Sequence, residues 1–168
     1  MYNGVNKWRV VDKSLNSHKL TGRGVSSLPT GAFQHNIDSK GRLFIPAKLR
    51  AGLGDRFVVA KSMDQQPCLC LFTMEEWLEL DEKINKLPLV KANRVLRYKY
   101  DKAAEVECDP QGRITLTSLQ REHADLSETA YITGVSRHVE IWNKPGLGVA
   151  EDGPNEGESL LDLMSEVI

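Results

Sequence analysis

The stretch Asp38-Ser39-Lys40-Gly41-Arg42-Leu43-Phe44-Ile45-Pro46 decides the fold, because its skeleton returns as Asp109-Pro110-Gln111-Gly112-Arg113-Ile114-Thr115-Leu116-Thr117. Asp, Gly and Arg each recur 71 positions later, Ile45 recurs as Leu116, and Arg50 as Arg121. Repetition at a fixed offset means one supersecondary unit used twice. In each unit, Gly41 or Gly112 permits a tight turn between two strands, since glycine tolerates positive φ. Asp38 and Asp109 can accept the turn amides with their carboxylates. Arg42 and Arg113 then leave from the first residue of the next strand, held on a rigid base. An arginine pre-organised in this way suits bidentate contact with a phosphate or a guanine edge. Lys40 adds a point charge to the first turn, where the second has Gln111. The blander role is that each Asp pairs with its own Arg and staples the hairpin; both roles can hold together.

Outward from these turns, the same series of elements is expected twice. Phe33, His35 and Ile37 alternate with polar residues, a strand pattern. Arg42–Ile45 reads as a strand, Pro46 opens a short helix and Gly54 closes it. Phe57–Ala60 and Cys68–Phe72 complete the first unit. In the second, Ala104–Cys108, Ile114–Leu116, Ala130–Thr133 and His138–Trp142 read as strands, with a short helix capped by Ser118. Between the units, Thr73-Met74-Glu75-Glu76 reads as a capping box starting a helix with Trp77, Leu80, Ile84 and Leu87 on one side. Pro88 ends it, and a second helix runs from Leu89 to about Tyr100. One unit has too few strands to stand alone, so two are expected to interlock as a pseudo-dimer.

The run Gly31–Pro46 resembles the opening signature of the MraZ family, part of the SpoVT/AbrB-like superfamily. Pro67–Phe72, Glu76-Trp77, Gly112–Leu116, Arg121–Ala124 and Glu140–Trp142 are similar to that family in order and spacing. The resemblance covers residues 31–145. It implies a β-rich α+β fold, with two AbrB-like repeats forming a double-psi-like or swapped-hairpin barrel joined by a helical hairpin. It also implies a sequence-specific transcriptional regulator of a division and cell-wall gene cluster. Such a protein binds short promoter direct repeats in double-stranded DNA as a ring-like homo-oligomer. Residue by residue, the DNA surface carries over to Arg42 and Arg113, with Lys40 beside the first. Thr117 stands where the family commonly has proline, which predicts a less sharply started second short helix.

These readings give an organisation of 1–30 as a disordered extension, 32–76 as the first repeat, 77–102 as a helical linker, 103–146 as the second repeat and 147–168 as an acidic tail. The net charge is −1, but residues 150–168 hold six acids (Glu151, Asp152, Glu156, Glu158, Asp162, Glu166) and no base. Without them, 22 bases face 17 acids, so the body is mildly basic. The extension carries Lys7, Arg9, Lys13, Lys19 and Arg23 against Asp12, and the tail carries Leu160, Leu161 and Met164 at amphipathic spacing. No apolar run approaches the ~20 residues of a membrane span, and no secretory leader is evident, so a cytoplasmic, nucleoid-associated protein is expected.

Cys68, Cys70 and Cys108 do not make a disulfide framework. Cys68 and Cys70 fall on one strand face and read as core thiols; no metal site and no cofactor are expected. Lys91, Arg94, Arg97 and Lys99 face the acidic run Glu75, Glu76, Glu79, Asp81, Glu82 and read as an ion-paired or solvated surface. His35, His123 and His138 are scattered and read as structural. No nucleophile elbow, phosphate loop or His-Glu-x-x-His occurs, so the expected class is non-enzymatic. The rival within the superfamily is an antitoxin or transition-state regulator, and the rival from another class is a barrel used for peptide binding or as an enzyme core.

Overall fold

The computed structural model describes Leu28 and residues 31–146. The expectations for residues 1–27, 29–30 and 147–168, including the basic arm and the Leu160, Leu161, Met164 stripe, lie outside the described residues. The elements run β1 (Ala32–Asn36), β2 (Arg42–Phe44), α1 (Ala47–Leu53), β3 (Arg56–Lys61), β4 (Leu69–Thr73), α2 (Met74–Ile84), α3 (Leu89–Tyr100), β5 (Ala104–Glu107), β6 (Arg113–Thr115), α4 (Ser118–His123), β7 (Thr129–Val135) and β8 (His138–Trp142). The series strand–strand–helix–strand–strand therefore occurs twice, around a helical hairpin.

The two series interlock. Strand β1 pairs with β7, β3 with β5, β4 with β8 and β2 with β6, all antiparallel; only β3–β4 and β7–β8 join neighbours in the chain. Neither half could satisfy its own ladder without the other. The fold is α+β and β-rich as expected, but the barrel is corrected. Six strands form an open sheet in the order β1-β7-β8-β4-β3-β5, and β2–β6 is a separate ladder. Closure would need β2 and β6 to hydrogen-bond along β1 and β5. At three residues each they pair with one another instead, and a single bridge, Ile37 to Leu43, ties β1 to that ladder.

Alternation sorts the side chains onto two faces of the sheet. Phe57, Val59, Leu69, Leu71, Ile132, Val139 and Ile141 point to one side and meet Leu43, Ile45, Leu49, Leu53, Ile114 and Leu116 from the small ladder and short helices. Leu28 joins this core, 5% exposed, and its amide donates to the Ser136 carbonyl at 2.7 Å. Leu28, expected to belong to the extension, is thus part of the core. On the other face Val58, Ala60, Cys68, Cys70, Phe72 and Trp142 meet Trp77 of α2. Residues next to each other in β3 and β4 serve different cores, which is why both strands read as nearly continuous apolar runs.

Capping differs from expectation at both helices that follow a threonine. The Thr73 hydroxyl accepts from the Glu76 amide at 3.1 Å, but the Glu76 carboxylate turns to Arg137, so only half a box forms. The complete box is at α4. There Thr117, not Ser118, is the cap: its side chain accepts from the Gln120 amide at 3.1 Å, and its own amide donates to Gln120 Oε1 at 3.0 Å. The start expected to be loose is the better capped one, because a Thr–Gln pair satisfies two orphan amides where a proline satisfies none. Gln120 is fully buried, and its Nε2 donates to the Lys102 carbonyl at 2.9 Å.

The acidic face of α2 does not pair mainly with α3. Glu76 and Glu79 both bind Arg137, from the β7–β8 turn. The exception is Lys99, whose ammonium is buried, donates to Asp81 Oδ1 at 2.7 Å and to the Trp77 carbonyl at 2.6 Å, and lies 3.7 Å from the Trp77 ring centroid. Burial lowers its pKa, and Asp81 opposes that shift. No helix among the described residues is long and apolar enough to cross a membrane.

Candidate nucleic-acid interface

The two Asp-x-x-Gly-Arg turns are built alike, atom for atom. Asp38 Oδ1 accepts from the Lys40 and Arg42 amides at 3.0 and 2.9 Å, and its Oδ2 accepts from Arg42 Nε at 2.6 Å. Asp109 Oδ1 accepts from the Gln111 and Arg113 amides at 2.9 Å each, and its Oδ2 accepts from Arg113 Nε at 2.8 Å. The Arg42 and Arg113 amides, and then their guanidinium groups, hold the Asp38 and Asp109 carboxyls below the ordinary carboxylate value. The stapling role is therefore realised in both turns.

Stapling uses only one edge of each guanidinium. Among the described residues the terminal nitrogens of Arg42 meet no protein acceptor, and one of Arg113 reaches Gln111 Oε1 at 3.2 Å. A charged fork is thus fixed by Nε while its end stays available. Both side chains are about one-third exposed, and Lys40 and Gln111 stand exposed at the turn tips.

The ladder sets the two forks relative to one another. Arg42 lies opposite Thr115, and Phe44 opposite Arg113. Cross-strand partners share a face, so Arg42, Phe44, Arg113 and Thr115 all point outward while Leu43 and Ile114, 0% and 1% exposed, point into the core. The two arginine Cα atoms are then roughly 8 Å apart, two residues along one strand and one strand across. His35 meets the Phe44 ring edge-on at 5.0 Å between centroids, and the Arg50 guanidinium lies 5.8 Å from that ring's centroid.

The glycines do more than turn the chain. Gly41 and Gly112 have φ of +77° and +79°. The Gly41 carbonyl accepts from the Leu116 amide, and the Gly112 carbonyl from the Ile45 amide, each at 2.9 Å. A Cβ on Gly41 would stand 2.9 Å from the Leu116 carbonyl oxygen and 3.2 Å from Arg121 Nε; one on Gly112 would stand 2.9 Å from the Arg50 guanidinium carbon. Each turn is therefore seated on the arginine of the other half's short helix. Arg50 Nε donates to the Ile45 carbonyl at 2.9 Å, while the buried Arg121 Nε has no partner among the described residues. The recurrence of Arg50 as Arg121 was visible in the sequence, but its placement under the opposite turn was not. Arg137 carried no sequence signal at all.

The family model described as "MraZ protein, putative antitoxin-like" matches residues 28–96 and 100–146. The chain is similar to the transcriptional regulator MraZ of Desulforamulus reducens, 47% identical over 116 residues that span 68% of this chain and 80% of the relative. The protein of the same name from Natranaerobius thermophilus is 47% identical over 116 residues, with the same coverage of both chains. That from Alkaliphilus metalliredigens is 40% identical over 127 residues, spanning 74% of this chain and 87% of the relative.

Proposed function

The chain belongs to the MraZ family, and on that footing we propose that it regulates transcription by binding double-stranded DNA through the outward face of the β2–β6 ladder. Arg42 and Arg113 read guanine edges in the major groove, and Lys40 contacts a phosphate beside the first. The carrying observation is that two independently stapled guanidinium forks share one face of one rigid ladder. The major groove, ~12 Å wide, admits a two-stranded ribbon with such a pair. One ladder offers few contacts. Several subunits in a ring-like homo-oligomer, meeting short direct repeats upstream of a division and cell-wall gene cluster, add avidity without new chemistry. The acidic tail, residues 147–168, and the basic arm, residues 1–30, tune this affinity through charge.

Fluorescence anisotropy with duplex DNA from upstream of the protein's own gene tests the reading. Arg42→Ala and Arg113→Ala each lose about 1–3 kcal/mol of specific affinity with the fold intact. Lys40→Ala weakens all sequences alike and reduces the salt slope by about one. Unchanged operator affinity in both arginine variants overturns the assignment. The family description also names an antitoxin-like role. A toxin-binding protein of that kind would retain DNA binding and gain a protein partner at its tail, which pull-down with residues 147–168 deleted separates.

A further inference from the structure

We propose that Cys70, His138 and Glu140 form a binding site for a divalent transition-metal ion of the zinc class, joining strand β4 of the first half to strand β8 of the second. In the β4–β8 ladder Cys70 lies opposite Glu140, and Phe72 opposite His138. The three side chains therefore share one sheet face, and one ligand atom from each lies within 4.8 Å of the other two. Sequence spacing conceals the trio, because the thiol and the imidazole come from different halves and meet only through an inter-half ladder.

The donor set suits such an ion. Thiolate, imidazole and carboxylate together are the borderline S, N, O ligands that zinc takes, and thiolate plus carboxylate cancel a charge of +2. His138 Nε2 and Glu140 Oε1 are 3.0 Å apart, close to the roughly 3.3 Å edge of a tetrahedron with bonds of about 2.0 Å. Outer partners already hold two of the ligands. Trp142 Nε1 donates to the second Glu140 oxygen at 2.9 Å, and the Phe72 ring stacks on His138 at 5.5 Å. Such support orients ligands and tunes a metal site.

Access and completion are also provided. Cys70 is buried at 1% exposure, while His138 and Glu140 keep 28% and 15% of their side chains open, which gives an ion a way in. Cys68 adjoins Cys70 on the same face but does not join the three within 4.8 Å, so Cys70 is the one thiolate of the set and water completes the coordination. On binding, the Cys70 sulfur forms the metal bond and its proton leaves to solvent, while the proton shared by His138 Nε2 and Glu140 gives way to the metal and the neutral imidazole carries its hydrogen on Nδ1. The rival is that the His138–Glu140–Trp142 hydrogen-bond chain is complete in itself and merely closes the second core.

Titration of the full-length reduced protein with Co²⁺, followed by Zn²⁺, decides between them. The expected result is one equivalent of Co²⁺ with a thiolate-to-metal charge-transfer band and tetrahedral ligand-field bands, both displaced by Zn²⁺. Zn²⁺ at a hundred times its Kd then raises Tm by roughly 5–10 °C. Cys70→Ser abolishes the charge-transfer band. His138→Gln, at a partly exposed position and with the fold checked by circular dichroism, weakens binding by more than the roughly 10–100-fold typical of losing an outer partner. Cys108→Ser leaves binding unchanged. Absence of the band, its persistence in Cys70→Ser, or a Zn²⁺-independent Tm overturns the site.

Discussion

At Gly41 and Gly112 two demands fall on the same atom. Positive φ asks for glycine, and the opposite half's arginine and carbonyl occupy the space a Cβ would need. Gly41→Ala is therefore expected to cost about 1–3 kcal/mol, with a matching loss in denaturant midpoint. Substituting Gly54 provides the comparison, because its φ is +83° but nothing lies within 4 Å of its would-be Cβ. If Gly54→Ala proves as damaging as Gly41→Ala, the close approach contributes nothing. Asp38 and Asp109 add a pH dependence. Their carboxyls titrate below the unfolded value of 3.8 because turn amides and guanidinium groups favour the charged form. A depressed carboxyl pKa contributes stability that is fully present above the unfolded value and disappears as pH falls through the folded value. Asp38→Asn should then lower Tm at pH 7, and its deficit relative to the unsubstituted protein should shrink below about pH 4. A deficit that stays constant from pH 7 to pH 3 would mean the charge of Asp38 is irrelevant to the turn.

Helix starts distinguish the two halves at the scale of elements. Thr117 and Gln120 satisfy one another's amides, whereas Thr73 is helped by its own hydroxyl alone, since Glu76 is taken by Arg137. Thr117→Ala and Thr73→Ala each remove one hydroxyl cap, while the Gln120 bond to the residue-117 amide survives, so each is expected to cost about 1 kcal/mol. An unchanged urea midpoint in either variant would show that its hydroxyl cap adds nothing. Sequence periodicity located these helices well, with α3 at Leu89–Tyr100 as expected. Capping was harder to read. A Ser/Thr-x-x-Glu/Gln pattern says which side chains could cap, but the Glu76 carboxylate had a competing guanidinium from a turn 61 residues away. Ser118 lost the cap to Thr117 for a local reason, because Thr117 alone places Gln120 at the third helical position.

At the scale of the whole molecule, the exposed apolar side chains among the described residues concentrate at the end of the helical hairpin. Leu87, Leu89 and Val90 are 42%, 75% and 83% exposed, and they adjoin one another around Pro88. Trp77 and Ile84 of the expected stripe pack inward, so they do not supply this surface. If subunits assemble through the hairpin, light scattering should return an oligomer that Leu89→Glu with Val90→Glu reduces to smaller species, with the fold preserved by circular dichroism. An assembly insensitive to that pair would move the contact elsewhere on the chain, and a monomer at micromolar concentration would remove the ring from the proposed mechanism.

The 71-residue recurrence, the order of strands and helices, and the Asp–Gly–Arg chemistry of each turn were determined by sequence alone, because they depend on neighbours within a few residues. A carboxylate four residues before an arginine, with glycine between, can form the same turn wherever it stands. The tertiary structure decided everything that required the halves to meet. It placed Arg42 and Arg113 on one face through a three-residue ladder, seated Arg50 under Gly112 and Arg121 under Gly41, and brought Cys70 to His138 and Glu140. It also left the sheet open rather than closed, with β2 and β6 paired to each other in a ladder of their own. Strand pairing across a long loop is set by the burial of whole faces against each other, and that is a property of the assembled core rather than of any local stretch.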